Sequence, residues 1–195
     1  MTILLSALIV AYLIGSIPCG VVLTRLTGAG DVRSSGSGNI GATNVYRTAG
    51  RKLGILTLVG DILKGLLPML LAVNLGFSPN QIALIAAALF LGHCYPIYIG
   101  FKGGKGVATA LGIFLVLSPL AVLITVVLFA AVVWKWRYIS LGSIVAAGIF
   151  PFLIFALDRS VPLFLGTLFI SAMVVIRHRT NIERLRAGEE NKFSF

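Results

Sequence analysis

Carboxylates are scarce in this chain: 195 residues carry six Asp and Glu together, against sixteen Lys and Arg. No group of them has the spacing of a metal-ion site, so neither metal-assisted catalysis nor a metal cofactor is expected. Cysteine is as rare. Cys19 and Cys94 are the only two, both in apolar surroundings, and they give neither a disulfide framework nor a metal-ligand spacing. No Ser or Cys nucleophile has an acid–base pair near it in sequence. Charge of either sign is thin, at 11% of residues, while 58% are hydrophobic and the mean hydropathy is +1.02. That composition excludes an ordinary soluble domain.

What is there instead is a series of apolar runs of membrane length. Residues 3–23 form the first, loosened in its second half by Gly15, Pro18 and Gly20. It has no basic leader and no small-residue cleavage site, so it reads as a retained span rather than a signal peptide. Further spans are expected at 54–74, 81–99, 138–157 and 161–176. The run 107–134 is longer than one crossing needs and is interrupted at Ser118-Pro119. Read as a short helical hairpin, it returns the chain to the same side. All Lys and Arg except Lys64 and Arg159 then share one face, which the positive-inside rule makes cytoplasmic. The expectation is an all-α polytopic membrane protein forming one domain over 1–195. It has five full crossings plus the hairpin, seven helices in all, with the N-terminus outside and the C-terminus cytoplasmic. The net charge of +10 is then a topology signal, and no nucleic-acid partner is expected.

Three polar stretches break the apolar pattern. The first, Ser34 to Arg47, reads SSGSGNIGATNVYR. Gly36, Gly38 and Gly41 let backbone N–H groups approach a ligand. Ser37, Asn39, Thr43 and Asn44 supply polar groups and Arg47 a fixed cation, which is equipment for a phosphate. Residues 36–41 fit G-x-G-x-x-G literally, but no βαβ context surrounds them. A flexible linker does not need asparagines, a threonine and an arginine so closely spaced. The surrounding loop, 24–53, is too long to be structureless, and part of it is expected as a short surface helix.

The second stretch is Phe101-Lys102-Gly103-Gly104-Lys105-Gly106, between two helices. Its lysines and backbone amides can clamp a phosphate. A Walker A loop is excluded, because Ile99 stands where its first glycine belongs and Gly106 follows the lysine. A positive anchor would explain the lysines but not the glycines. The third stretch, Arg177 to Leu185, continues the last span as an amphipathic tail. His178 and Asn181 are three residues apart and face the same way. His93, deeper in an apolar span, reads as a helix-packing hydrogen bonder. Asp61 and Lys64 lie on one face of the second span, either as a functional pair or as a local ion pair.

Together, residues 35–47, Gly92-His93-x-x-Pro96 with 101–109, and His178-Arg-x-Asn181-Ile-x-Arg-Leu185 resemble the three signature motifs of the bacterial acyl-phosphate:glycerol-3-phosphate acyltransferase family. Asp61-x-x-Lys64-Gly65 and Tyr138 to Ser143 are weaker patches of the same likeness. The H-x-x-x-x-D pattern of soluble-headed glycerolipid acyltransferases is missing, since His93 is followed five on by Tyr98 and His178 by Glu183. The resemblance implies transfer of a fatty acyl chain from acyl phosphate to the 1-hydroxyl of glycerol 3-phosphate. The products are 1-acyl-glycerol 3-phosphate (lysophosphatidic acid) and inorganic phosphate, in the first acylation of phospholipid synthesis. It places the enzyme in the bacterial inner membrane, in contact with membrane lipid, with its site at the cytoplasmic face.

An acyl phosphate is already activated, so alignment and charge stabilisation suffice, without a covalent enzyme intermediate. On this reading Ser37, Arg47, Lys105, His178 and Asn181 hold phosphates, and the backbone around Gly38, Asn39 and Gly41 cradles one of them. Thr43, Asn44, Gly103 and Gly104 complete the phosphate loops, with Lys102 and Ser143 in supporting contact. Lys105, His178, Asn181 and Arg47 form the expected catalytic group. The base for the attacking hydroxyl is either His178 or the substrate's own phosphate. The rival class is an organic-anion transporter, which places its charges near the bilayer midplane within repeat-related broken helices; no internal repeat is visible.

Overall fold

The computed structural model describes residues 2–193. Among the described residues the chain forms ten α-helices, two short 3-10 turns and no strand. They are α1 (Thr2–Gly15), α2 (Cys19–Leu26), α3 (Ala42–Ala49), α4 (Arg51–Asn74), α5 (Pro79–Cys94), α6 (Val107–Leu117), α7 (Pro119–Trp136), α8 (Ile139–Asp158), α9 (Val161–Arg177) and α10 (Arg179–Ala187). The 3-10 turns are Val32–Ser34 and Ile97–Ile99. Seven membrane helices were expected, and a short surface helix in the polar loop, which is α3. The two further helices are α2, split from the first span by the Ser16–Pro18 break, and α10, which His178 separates from α9.

The breaks follow from local chemistry. Pro18 has no N–H to donate, and α1 and α2 meet there at 44°. Ser16 closes the end of α1, its hydroxyl donating to the Tyr12 carbonyl at 2.8 Å. Ser78-Pro79, Ser118-Pro119 and Ser160-Val161-Pro162 each open a helix, with proline in the first turn, where a missing N–H is harmless. Pro68 and Pro151 lie inside α4 and α8, as membrane helices tolerate.

Four stretches are long and apolar enough to cross a membrane alone: α4, Pro79–Ile99, α7 and α8. Among the described residues the number is six if each of the bent pairs α1–α2 and α9–α10 is one span. The interruption at Ser118 falls where the sequence placed it, but the arms are unequal. The eleven residues of α6 rise about 16 Å, half of a hydrocarbon core. The eighteen of α7 rise about 27 Å. So α7 is long and apolar enough to cross alone, while α6 is not.

The chain divides into two compact units, Met1–Val116 and Leu117–Phe195. In the first, α1 runs against α5 and α2 against α4. Gly15 abuts the Leu89 backbone and Gly92 the backbone of Tyr12 and Ser16, so any side chain at either would push α1 off α5. Gly65 and Gly112 play the same part between α4 and α6. In the second unit α8 packs against both α7 and α9.

Candidate active site

The polar loop after α2 is a folded structure built on one asparagine. Asn44, 3% exposed, sits in the first turn of α3. Its amide nitrogen donates to the carbonyls of Val32, Ser35 and Asn39 at 3.0, 3.1 and 2.9 Å. Its oxygen accepts the Ser37 N–H at 2.9 Å. The Asn39 side chain turns the loop by accepting the Gly41 N–H at 2.8 Å. Beneath these bonds Val21, Val32, Ile40 and Val45 form a small apolar core, with Ala49, Leu53 and Ile99 packed against it. The exposed Ser37 and Gly38 therefore stand on a rigid base, and α3 presents Arg47 one turn beyond Asn44. At the loop's start Asp31 is held well below the usual carboxylate range, chiefly by hydrogen bonds from the Arg33 side chain and backbone.

Ile99 in that core brings the second loop alongside the first. After α5 the chain makes the Ile97–Ile99 turn, passes Gly100 and Phe101, both at positive φ, and enters KGGKG. The loop folds back onto the end of α5. The Phe101 N–H donates to Pro96 at 2.9 Å and the Gly104 N–H to His93 at 3.1 Å. A side chain on Gly104 would overlap the His93 ring, and one on Gly106 the ring of Phe90. Lys105, half-buried, thus lies between two pinned glycines, two residues before α6 begins. The first N–H groups of a helix are the kind that favour an anion beside them.

Behind this loop lies a buried polar cluster. Asp61 and Lys64 form an ion pair at 2.8 Å with side chains 3% and 5% exposed. Lys64 also donates to the Ile17 carbonyl at 2.7 Å. His93 Nδ1 lies 3.1 Å from the Thr109 hydroxyl and 3.8 Å from Asp61.

The second unit carries the remaining residues. His178 is the hinge between α9 and α10, which meet at 52°, and it is 3% exposed. Its Nδ1 lies 2.7 Å from the Val174 carbonyl. A carbonyl only accepts, so Nδ1 carries the proton of that bond. Asn181, one turn on, donates to Glu190 Oε1 at 2.7 Å. Ser140 donates to the same oxygen at 2.7 Å, and Arg184 to Oε2 at 2.8 Å. Burial pushes the Glu190 carboxyl up, but the bonds from Arg184, Ser140 and Asn181 outweigh it and hold the group below its ordinary value. Ser143 donates within α8 to Ile139 at 2.9 Å. Glu190, Ser140 and Thr109 were missed in the sequence.

The sequence-predicted residues therefore fall into two sets. Ser37 to Arg47 and Lys102 to Lys105 occupy adjoining loops of the first unit; Ser143, His178 and Asn181 belong to the second. Among the described residues no group of His, Cys, Asp and Glu could hold a metal ion.

Residues 5–188 match the family model for glycerol-3-phosphate acyltransferases. The chain is 62% identical over 187 residues to a glycerol-3-phosphate acyltransferase of Syntrophotalea carbinolica, covering 95% of each chain. It is 57% identical over 185 residues to one of Geobacter sulfurreducens, covering 94% of each. Among solved structures it is similar to PlsY, an integral membrane glycerol 3-phosphate acyltransferase. Against the glycerol 3-phosphate form the identity is 41% and the TM-score 0.94, covering 98% of this chain and 96% of that one. Against the lysophosphatidic acid form the values are 40% and 0.90, covering 98% and 95%.

Proposed function

Because this chain belongs to the glycerol-3-phosphate acyltransferase family, we propose that it transfers a fatty acyl chain from acyl phosphate to the 1-hydroxyl of glycerol 3-phosphate. The products are 1-acyl-glycerol 3-phosphate and inorganic phosphate, in the first acylation of phospholipid synthesis. The observation that carries this reading is the pair of adjoining glycine-rich loops with Lys105 at the start of α6. One phosphate-bearing acceptor and one phosphate-bearing donor call for more than one such cradle. The two solved relatives, in their glycerol 3-phosphate and lysophosphatidic acid forms, support the acceptor and the product.

In this mechanism the protein aligns two substrates and stabilises charge. Ser37, Arg47, Lys105 and the amides around Gly38 hold phosphate oxygens, with Lys102 and Ser143 in support. Asn44 keeps the first loop in shape. Attack of the hydroxyl on the acyl carbonyl breaks the acyl–phosphate bond, and inorganic phosphate leaves. With its Nδ1 proton held by the Val174 carbonyl, His178 donates from Nε2 to a phosphate only as the imidazolium, the form that a neighbouring phosphate favours. A base of the triad type has a carboxylate in that place to stabilise the imidazolium it forms. Of the two candidate bases we assign the hydroxyl proton to the phosphate of glycerol 3-phosphate, a reading that the carbonyl partner of His178 supports. The enzyme works in the bacterial inner membrane, its phosphate loops facing the cytoplasm, where the soluble substrate is made.

The test is an acyl-transfer assay. Purified, detergent-solubilised protein receives glycerol 3-phosphate with palmitoyl phosphate, palmitoyl-CoA or palmitoyl-acyl-carrier protein, and lysophosphatidic acid is measured by mass spectrometry. Product from the acyl phosphate alone is expected. Product from the thioesters at equal rate would overturn the donor assignment.

A further inference from the structure

His93 is more than a packing group. It is 2% exposed, so neither substrate reaches it, yet it touches the phosphate loop from two directions. Its carbonyl accepts the Gly104 N–H at 3.1 Å. The Nε2 edge of its ring lies against the Cα of Gly104, where any side chain would overlap the ring, and Gly103 is pressed against the carbonyls of His93 and Cys94. On the other side its Nδ1 meets the hydroxyl of Thr109, in the first turn of α6, at 3.1 Å. One side chain thus joins the end of α5, the middle of the loop and the helix that the loop leads into.

The ring has its own support. Asp61 stands 3.8 Å from Nδ1 and is held at 2.8 Å by Lys64, which is tied at 2.7 Å to the carbonyl of Ile17. Ion pairs buried this deeply gain little stability over apolar residues of the same volume. What such a network does is specify one geometry. Here the geometry it specifies is that of Gly103 and Gly104, the two residues that aim Lys105.

We propose that His93 is a positioning residue for Lys105, acting through the Gly103–Gly104 backbone, with Thr109 and the Asp61–Lys64 pair fixing its ring. The proposal rests on the reading of Lys105 as a phosphate-holding residue.

The test is a double-mutant cycle on the full chain in detergent, reading the dissociation constant of glycerol 3-phosphate by calorimetry, with thermal unfolding followed in parallel. Coupling between residues that act through one another is expected, while independent sites are additive. His93→Gln should weaken binding by about tenfold, since a loop misplaced by about 1 Å loses much of its alignment. In a Lys105→Ala background the same change should have no further effect. Equal losses from His93→Gln in both backgrounds would overturn the proposal and leave His93 a fold-stabilising residue. If Lys105→Ala itself binds as tightly as the wild type, the phosphate role of Lys105 fails, and the proposal with it. Should His93→Gln not fold, Thr109→Val removes the ring's partner at constant volume. It should show the same coupling to Lys105, with Thr109→Ser restoring the affinity; an additive Thr109→Val would count against the idea.

Discussion

The carboxylate of Glu190 accepts a hydrogen bond from the side-chain amide of Asn181 at 2.7 Å, and with Ser140 and Arg184 it docks the C-terminal tail onto α8 and α10. On the function proposed above Asn181 holds a substrate phosphate, and the tail would then set the orientation of its amide. The folded carboxyl is held below its ordinary value of 4.5. Its contribution is therefore complete above that value and is lost as pH falls through the depressed one. Glu190→Gln should loosen the tail by about 2 kcal/mol at neutral pH and abolish the acid-dependent part. Hydrogen exchange of residues 185–193 against pH reads both. Tail protection that Glu190→Gln leaves unchanged at neutral pH would refute the docking role.

His178 makes a sharper distinction. If it binds a phosphate and the substrate takes the hydroxyl proton, His178→Gln should raise KM for glycerol 3-phosphate while keeping kcat within about tenfold of wild type. A true general base would instead lose about 100-fold or more in kcat at nearly constant KM. Steady-state kinetics with the acyl phosphate saturating separates the two.

Asn44 and Ser37 belong to one loop but should fail differently. Asn44→Asp removes the donor that three carbonyls share and adds a charge to a buried site. Global stability should fall by about 3 kcal/mol, the usual penalty for unsatisfied buried polar groups. Ser37→Ala removes an exposed hydroxyl. It should leave thermal unfolding unchanged and weaken glycerol 3-phosphate binding by about tenfold, the size of one hydrogen bond to a charged group. Equal thermal shifts in the two variants would mean that Ser37 is part of the scaffold.

The same contrast shows what can be read in a linear sequence. The spans, the Ser118-Pro119 break and the α3 helix in the polar loop all follow from composition and local backbone chemistry, so they were visible beforehand. The use of Asn44 was not. Its type and spacing suit a ligand as well as a loop, and only the fold shows four loop partners around it. Glu190 was invisible for a related reason. It meets Ser140 across fifty positions, and no periodicity encodes such a pairing. The glycines at 103 and 104 were read as room for a ligand, whereas His93 fills the space beside Gly104. A glycine motif reports close approach without saying which partner approaches.

Asp61 and Lys64 give the last prediction, and here the neighbours decide the sign. Reversing the pair, Asp61→Lys with Lys64→Asp, would be a sound test of a purely mutual interaction. But Lys64 also donates to the Ile17 carbonyl at 2.7 Å. An aspartate at 64 would turn a carboxylate toward that carbonyl, so the reversed pair should regain only part of what the single variants lose. Lys64→Ala should be the most damaging, leaving Asp61 buried and uncompensated at a cost of about 3–5 kcal/mol. Asp61→Asn with Lys64→Met removes both charges at similar volume and should unfold within a few degrees of wild type. It should nonetheless bind glycerol 3-phosphate more weakly, because the His93 ring has lost the carboxylate behind it. Thermal unfolding and ligand binding measured on the same preparation would show whether stability and affinity separate in this way; if they fall together in the neutral double variant, the pair serves the fold and not the loop.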